Sequence, residues 1–469
     1  MGEKTYRAWR PDQAWLLPPS PRDWLPEGHL VYFLRDAVRE LDISSITSYD
    51  ERELRGFPPF HPRMMLTLLI FNDATGTRSS RKIMTRCEQD VVRAGRGASR
   101  TWCEQDVACR VIVGEDTPDF HAISEFRRRH VEAFEKLFVE VLRLAKASGL
   151  IKLGRLALDG TKIKANASRH KAMSYDRMQT EEARLQQEIR ELLAQAEAED
   201  QADDAQHGSN RRGDELPDEL QRRESRLAKI REAKAALEAA ARARASAENE
   251  AKNAARIAAG KEPVSINRDE VQPDPKAQRN FTDPDSKIRK TSNKGWNQCG
   301  NAQALVDESQ LILAADVTPQ ANDARQVAPL LDPMEANLEA AEITPRPKDF
   351  VADAGDSSDD NTQDVRSHKM TPYIATQRLK HHEQLPPVPR GRIPQSLTPK
   401  QRLARTLRTK TGRDIYKKRK GQVEPVFGQI KQAGGFRQFA LRGIAQMKAE
   451  WQLVCLTHNL LKLWRAAPA

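Results

Sequence analysis

LALDGTKIKANA, residues 156–167, decides the fold, because in it a run of apolar residues ends in a single acid. Leu156, Ala157 and Leu158 lie between Gly154 and Gly160, the pattern of a short buried strand that delivers Asp159 to its exposed end. An aspartate there is costly unless it holds something positive. Asp-Gly is also a common turn cap, which is the stronger reading of this stretch taken alone. The balance shifts with two more carboxylates downstream. FVADAGDSS, residues 350–358, ends its apolar run in Asp353, and GQVEPVFGQIK, residues 421–431, carries Glu424.

Between these acids the pattern is that of an interrupted sheet. Asn301 to Val306 and Leu311 to Val317 read as two strands joined by Asp307-Glu308-Ser309, and Asn322 to Ala341 as a helix. The run ending in Asp353, a further helix, a strand at Pro372 to Thr376 and a basic, proline-rich loop from Leu385 to Pro399 follow. This order predicts an α/β sheet with an excursion after its first strand. The excursion, Tyr175 to Lys261, is rich in Ala, Glu, Arg, Gln and Lys. It carries one stripe at Leu185, Ile189 and Leu192 and another at Leu220, Leu227, Ile230 and Leu237. An antiparallel helical hairpin follows, read as a spacer or oligomer contact, with DNA contact the minor alternative.

The segment around Glu424 is expected to be helical, with Pro425 tolerated in the first turn. On a regular helix Glu424 and Lys431 lie within about 20° of each other, which puts Glu424 at the edge of the packed face. Residues 401–450 hold thirteen Lys or Arg against three Asp or Glu, the expected DNA-backbone surface. His458, on the apolar stripe of the last helix, reads as a hydrogen-bonded core histidine.

Before the first strand the chain reads as a small helical domain. Helices are expected at Leu30 to Leu41, Arg63 to Asn72, after Ser79-Ser80, and from Ala122 to Ser148, preceded by an arm holding Trp9, Trp15 and Trp24. Arg127-Arg128-Arg129 reads equally as phosphate contacts or a solvated face. Cys87 to Val91 recurs as Cys103 to Val107, a local duplication too short to be a solenoid.

The whole chain of 469 residues suggests two or three domains. Its 77 Lys and Arg against 66 Asp and Glu give a formal charge of +11, favouring a polyanionic partner over an acidic small substrate. The longest apolar run, Met64 to Phe71, is too short for a membrane span, and the N-terminus lacks a signal-peptide core. A soluble cytoplasmic protein, nucleoid-associated when bound to DNA, is expected. Five cysteines without CxxC or Cys/His spacing predict free thiols, not a zinc site.

The stretches around Asp159 and Asp353, with EPVFGQIKQAGGFRQFALRG and EWQLVCLTHNLLKL around and after Glu424, resemble the DDE transposases of bacterial insertion sequences. The resemblance covers most of the chain. It implies a ribonuclease H-like mixed sheet flanked by helices, an α-helical N-terminal domain and a helical-hairpin insertion. The implied domains are residues 1–150, a helical DNA-binding domain; 151–168 with 279–469, the catalytic domain; and 169–278, the hairpin. It further implies Asp159, Asp353 and Glu424 as catalytic ligands of Mg²⁺ or Mn²⁺, with Tyr416, Lys417, Lys418, Arg419, Lys420, Lys431, Arg437 and Arg442 on DNA. The implied partners are the terminal inverted repeats and target DNA, with a homodimer in the synaptic complex and no membrane. The family signature separates Tyr, Arg, Glu and Lys by two, three and six residues. Here four residues separate Arg419 from Glu424, so either Lys420 substitutes for the arginine or Gly421 permits a local bulge. Asp356 stands where members of that family often carry an aromatic residue. The implied activity is metal-dependent cleavage at element ends and strand transfer. The alternatives are a catalytically decayed DNA-binding remnant and a ribonuclease H-like nuclease without strand transfer.

Overall fold

The computed structural model describes residues 25–52, 58–88, 100–114, 116–207, 218–291, 295–320, 326–377, 387–394 and 396–467. The tryptophan arm, the joint between the two Cys-Glu-Gln-Asp-Val copies and the hairpin tip lie outside them. The chain divides into two compact units, one of Met1–Asn166 with Cys299–Ala469 and one of Ala167–Gln298.

The first unit opens with helices α1 (Leu30–Glu40), α2 (Ser44–Asp50), α3 (Pro62–Ala74), α4 (Ser80–Glu88), α5 (Arg100–Val113), α6 (Phe120–Arg129) and α7 (Ala133–Ala147). The single helix expected over Ala122 to Ser148 is thus two. The break falls where buried His130 packs on Phe126 and Tyr49, at ring distances of 4.6 and 5.4 Å, and no proline or glycine marks it in the sequence. Strand β1 (Arg155–Lys164) follows. In the second unit come β2 (Ala172–Ser174), α8 (Tyr175–His207), α9 (Asp218–Ala258), β3 (Gln278–Asn280) and β4 (Lys287–Lys290). The chain returns through β5 (Trp296–Val306), β6 (Ile312–Thr318), α10 (Ala328–Ala340), β7 (Asp349–Ala352), α11 (Asp359–Ser367) and β8 (Thr371–Ile374). It ends with α12 (Pro399–Arg408), α13 (Lys410–Lys417), α14 (Arg419–Gly428) and α15 (Ile444–Ala466).

Within the first unit the strands form a mixed sheet in the order β6-β5-β1-β7-β8. β5 is antiparallel to both β1 and β6, whereas β1, β7 and β8 run parallel. The fold is mixed α/β, with helices packed on the sheet. β1 is longer than the expected Leu156–Leu158, and Asp159 lies in its middle. Gly160, expected to end the strand, pairs with Gln303 of β5. A Cβ there would sit 2.2 Å from the Gln303 amide nitrogen, so this glycine makes room for a buried side chain.

Helix α15 covers the edge of the sheet. Asn459 satisfies both backbone groups of Ile312, accepting from its N–H at 2.9 Å and donating to its carbonyl at 2.8 Å, and Gln452 donates to Ala315 O. An edge strand is thereby closed to further pairing. The same helix packs on α3 and α7, so the N-terminal helices and the sheet share it. His458 is buried and bonds Gln310 O at 2.9 Å, as expected of a core histidine.

The region of Glu424 differs from expectation. α14 begins at Arg419, so Pro425 lies inside the helix and not in its first turn. Proline removes one N–H and crowds the carbonyl four residues back. Here that carbonyl belongs to Gly421, and Gln310 Nε2 donates to it at 3.0 Å. Gly421 itself lies in continuous helix. The irregularities fall at the Lys418 turn and over Gln429–Ala433, where the helix widens to a π-turn closed by Gly434 N–H donating to Gln429 O.

Buried Glu450 ties the segment after the π-turn to α15 by accepting from the N–H groups of Ala440 and Leu441, each at 3.0 Å. Burial pushes its carboxyl up to about 7, against those N–H groups. A carboxyl with a raised native pKa favours folding at low pH, and this contribution is lost as pH rises from the ordinary carboxylate range through about 7. Between pH 5 and pH 8 the Glu450→Gln variant should therefore gain about 2 to 3 kcal/mol relative to the parent. Urea unfolding of both proteins at the two pH values measures it, and a pH-independent difference would show that Glu450 does not titrate in this window. Comparing parent with variant cancels His458, which burial holds down at about 4.

The second unit pairs β2 with β3 and packs α8 on α9. Leu185, Leu227, Ile230 and Leu237 join Met173, Tyr175 and Met178 in its core. Glu181 pairs with Arg226, and Glu182 with Arg231 and Lys234, across the two helices.

Candidate active site

Three facing residues pair β1 with β7: Arg155 with Asp349, Leu156 with Phe350, and Ala157 with Val351. Each pair differs by 194 in sequence, and so do Asp159 and Asp353. Continuing the ladder by two residues brings the aspartates level on adjacent parallel strands, where β7 has just ended at Ala352. Asp353 caps the turn that follows, accepting from Gly355 N–H at 2.6 Å, and Asp159 accepts from Gly160 N–H at 2.8 Å. Burial raises the Asp159 carboxyl above its ordinary range and Asp353 adds to the shift, while Arg419 and the Gly160 N–H oppose it.

Successive side chains of a strand alternate between its faces. On β1 the odd positions meet α14 and its π-turn. Arg155 donates to Gln422 Oε1 at 2.8 Å, and Asp159 accepts from Arg419 at 3.1 Å. Thr161 takes the Lys431 ammonium. Gln422 also donates to the carbonyls of Arg155 and Val306, fixing the helix to two strands. Arg419 is only 11% exposed. It lies beside Tyr416, whose hydroxyl burial pushes up; the Arg419 charge opposes this, and Asp353 and Asp159 add to it. Burial draws the Lys431 ammonium down. Asp159, Asp353, Tyr416, Arg419 and Lys431 therefore converge, and Arg419 rather than Lys420 meets the aspartate.

Glu424 is not drawn into this group. It is solvent-exposed on α14, because the packed side of the helix is formed by Gln422, Val423, Val426 and Phe427, and among the described residues no ion pair holds it. No group of three or more His, Cys, Asp or Glu is placed to hold a metal ion among the described residues. Lys417, Lys418 and Lys420 are exposed around the Lys418 turn. Arg437 and Arg442 are exposed on the segment that follows the π-turn, whose backbone joins the end of β1 through Lys164. Arg442 donates to Asn166 O at 2.9 Å. Sequence reasoning missed Thr161, which the period of two from Asp159 would have named, and Gln422, which carries no comparable signal.

Two family models match the chain. A transposase DDE domain matches residues 392–464, and a transposase domain matches residues 19–92. The first segment contains Arg419, Glu424 and Lys431, while Asp159 and Asp353 lie outside both. No curated protein and no solved structure matches.

Proposed function

We propose that this chain, a DDE transposase of an insertion sequence as its two family matches support, cuts DNA at the ends of its element and joins them to target DNA. The observation that carries the reading is the shared register of Asp159 and Asp353, with Arg419 and Tyr416 closing over them. The strand order, with an antiparallel pair on one side of β1 and parallel strands on the other, favours a ribonuclease H-like catalytic domain. Residues 1–150 are assigned to DNA binding, residues 151–168 and 279–469 to catalysis, and residues 169–278 to the inserted hairpin.

Two adjacent carboxylates, one raised partly by the other, fit a hard divalent cation with oxygen ligands. Asp159 and Asp353 would hold Mg²⁺ or Mn²⁺, which when bound supplies charge to activate a water or 3′-hydroxyl and steady the leaving oxygen, and exposed Glu424 is the third donor that the resemblance implies. Before DNA arrives, Arg419 neutralises Asp159. Beside Tyr416, its planar fork suits a backbone phosphate. Lys431, fixed on Thr161, brings a second cation to the same face. Exposed Lys417, Lys418, Lys420, Arg437 and Arg442 extend a path for duplex DNA, and a homodimer brings two ends together.

The test uses the full chain with Mg²⁺ or Mn²⁺ and DNA carrying the inverted repeats that flank its coding region. Cleavage at the repeats, and joining of pre-cut ends to a plasmid, are expected. Cutting without joining would assign a nuclease, and binding without either reaction a decayed remnant.

A further inference from the structure

The second unit separates its charges. Residues 175–275, the helical hairpin and its return, hold seventeen Lys or Arg against twenty-three Asp or Glu. The flanking residues 167–174 and 276–298 hold eight against two. An acidic hairpin repels a polyanion, whereas the small strands at its foot attract one.

These strands enclose a cleft of about 290 Å³. Its floor is neutral and internally bonded: Ser286 Oγ meets Gln298 Oε1 at 3.1 Å, and Asn280 donates to Ser168 O at 2.8 Å. Lys276 and Lys287 line it. Lys287 is half-buried; burial lowers its pKa first and Arg279 and Arg289 add to this, with Asp285 offsetting part. Cations are thus held close together, and no ion pair joins Lys276, Arg279 or Lys287 to an acid among the described residues. Trp296 is 56% exposed, two residues before Gln298 and so on the same face of β5.

We propose that this cleft is a second nucleic-acid contact, in which Lys276 and Lys287 each neutralise a DNA backbone phosphate and Trp296 lies against the adjoining sugar or base. Lys, Arg and neutral polar side chains are the usual partners of phosphodiester oxygens, and an exposed aromatic beside them adds a stacking surface. The contact is separate from the aspartate pair and rests on the reading that the chain acts on DNA. It makes the insertion a DNA-holding unit through these strands and not through its acidic helices.

The experiment measures affinity of the full chain for a duplex of random sequence as a function of salt. The variants are Lys276→Gln/Lys287→Gln, the single Lys276→Gln and Lys287→Arg, and a hairpin control, Arg242→Gln/Arg244→Gln. The double variant should flatten the logarithmic salt dependence by roughly 0.9 for each phosphate that the protein no longer neutralises. Lys287→Arg and the hairpin control should leave the slope unchanged. Lys276→Gln, at an exposed position, should flatten it by the share of a single phosphate, which guards against misfolding of the double variant. A parent that binds with a steep slope and a Lys276→Gln protein with the same slope would overturn the cleft assignment alone. A parent with no salt-dependent binding would overturn the DNA reading itself.

Discussion

Replacing Asp159 or Asp353 with Asn should reduce metal-dependent cleavage of element ends by at least about a thousandfold while leaving duplex binding nearly intact. Each change preserves shape and removes the charge that a divalent cation needs, and loss of one such ligand costs several kcal/mol of transition-state stabilisation. At roughly 1.4 kcal/mol per factor of ten, a thousandfold is the lower expectation. Both substitutions remove the mutual repulsion of two adjacent carboxylates, but Asp159→Asn also takes away the charge that largely buried Arg419 pairs with, so only Asp353→Asn should melt no lower than the parent. Single-turnover cleavage together with a binding isotherm separates the two effects. Glu424→Gln is the discriminating member of the set, because its exposed carboxyl lies outside the convergent group. A Glu424→Gln protein that cuts at the parental rate would remove it from the ligand set while leaving the aspartate pair in place.

The second large effect is on stability. Trp451 is fully buried, donates its indole N–H to Gln303 O at 2.9 Å, and stacks on Phe427 and Phe436 at 6.3 and 5.9 Å. Trp451→Ala should cost about 3 to 5 kcal/mol, the range for deleting a buried aromatic side chain. Trp451→Phe should recover most of this, leaving the Gln303 carbonyl short of one donor at a cost of about 1 to 3 kcal/mol. Chemical denaturation reads both. Gln303 faces Gly160, the neighbour of Asp159, so the alanine variant should also lose activity below its unfolding transition. A Trp451→Ala protein as stable as the parent would mean that this aromatic stack does not support the sheet.

How far the sequence discloses this arrangement depends on the range of the forces involved. The apolar runs that end in Asp159 and Asp353 are legible because burial writes itself into consecutive residues. The hairpin stripes at Leu185, Leu227, Ile230 and Leu237 are legible because helical periodicity is local. Less legible is anything decided by a distant partner. The true length of β1 depends on β5, to which it pairs as far as Lys164 and Cys299. Gly160 looks like a strand terminator until Gln303 is seen across from it. Pro425 is acceptable within α14 because Gln310, from a turn 111 residues upstream of Gly421, takes over the carbonyl that proline leaves unpaired. The π-turn also breaks the regular spacing used to align Glu424 with Lys431, and α14 packs through Gln422, Val423, Val426 and Phe427, which leaves that carboxyl exposed instead of at the edge.

The distant register of β1 has a consequence during synthesis. Both strands that flank β1, and the guanidinium that neutralises Asp159 from 260 residues further on, leave the ribosome after it. At about 5 to 20 residues per second, the wait from Asp159 to Arg419 lasts roughly 13 to 52 s. Throughout that interval a nascent chain carries the first acid without its partner cation, and the hairpin emerges and can fold on its own local contacts. The convergent group of Asp159, Asp353, Tyr416, Arg419 and Lys431, assembled from such separated segments, stays incomplete on every polypeptide that terminates before α14.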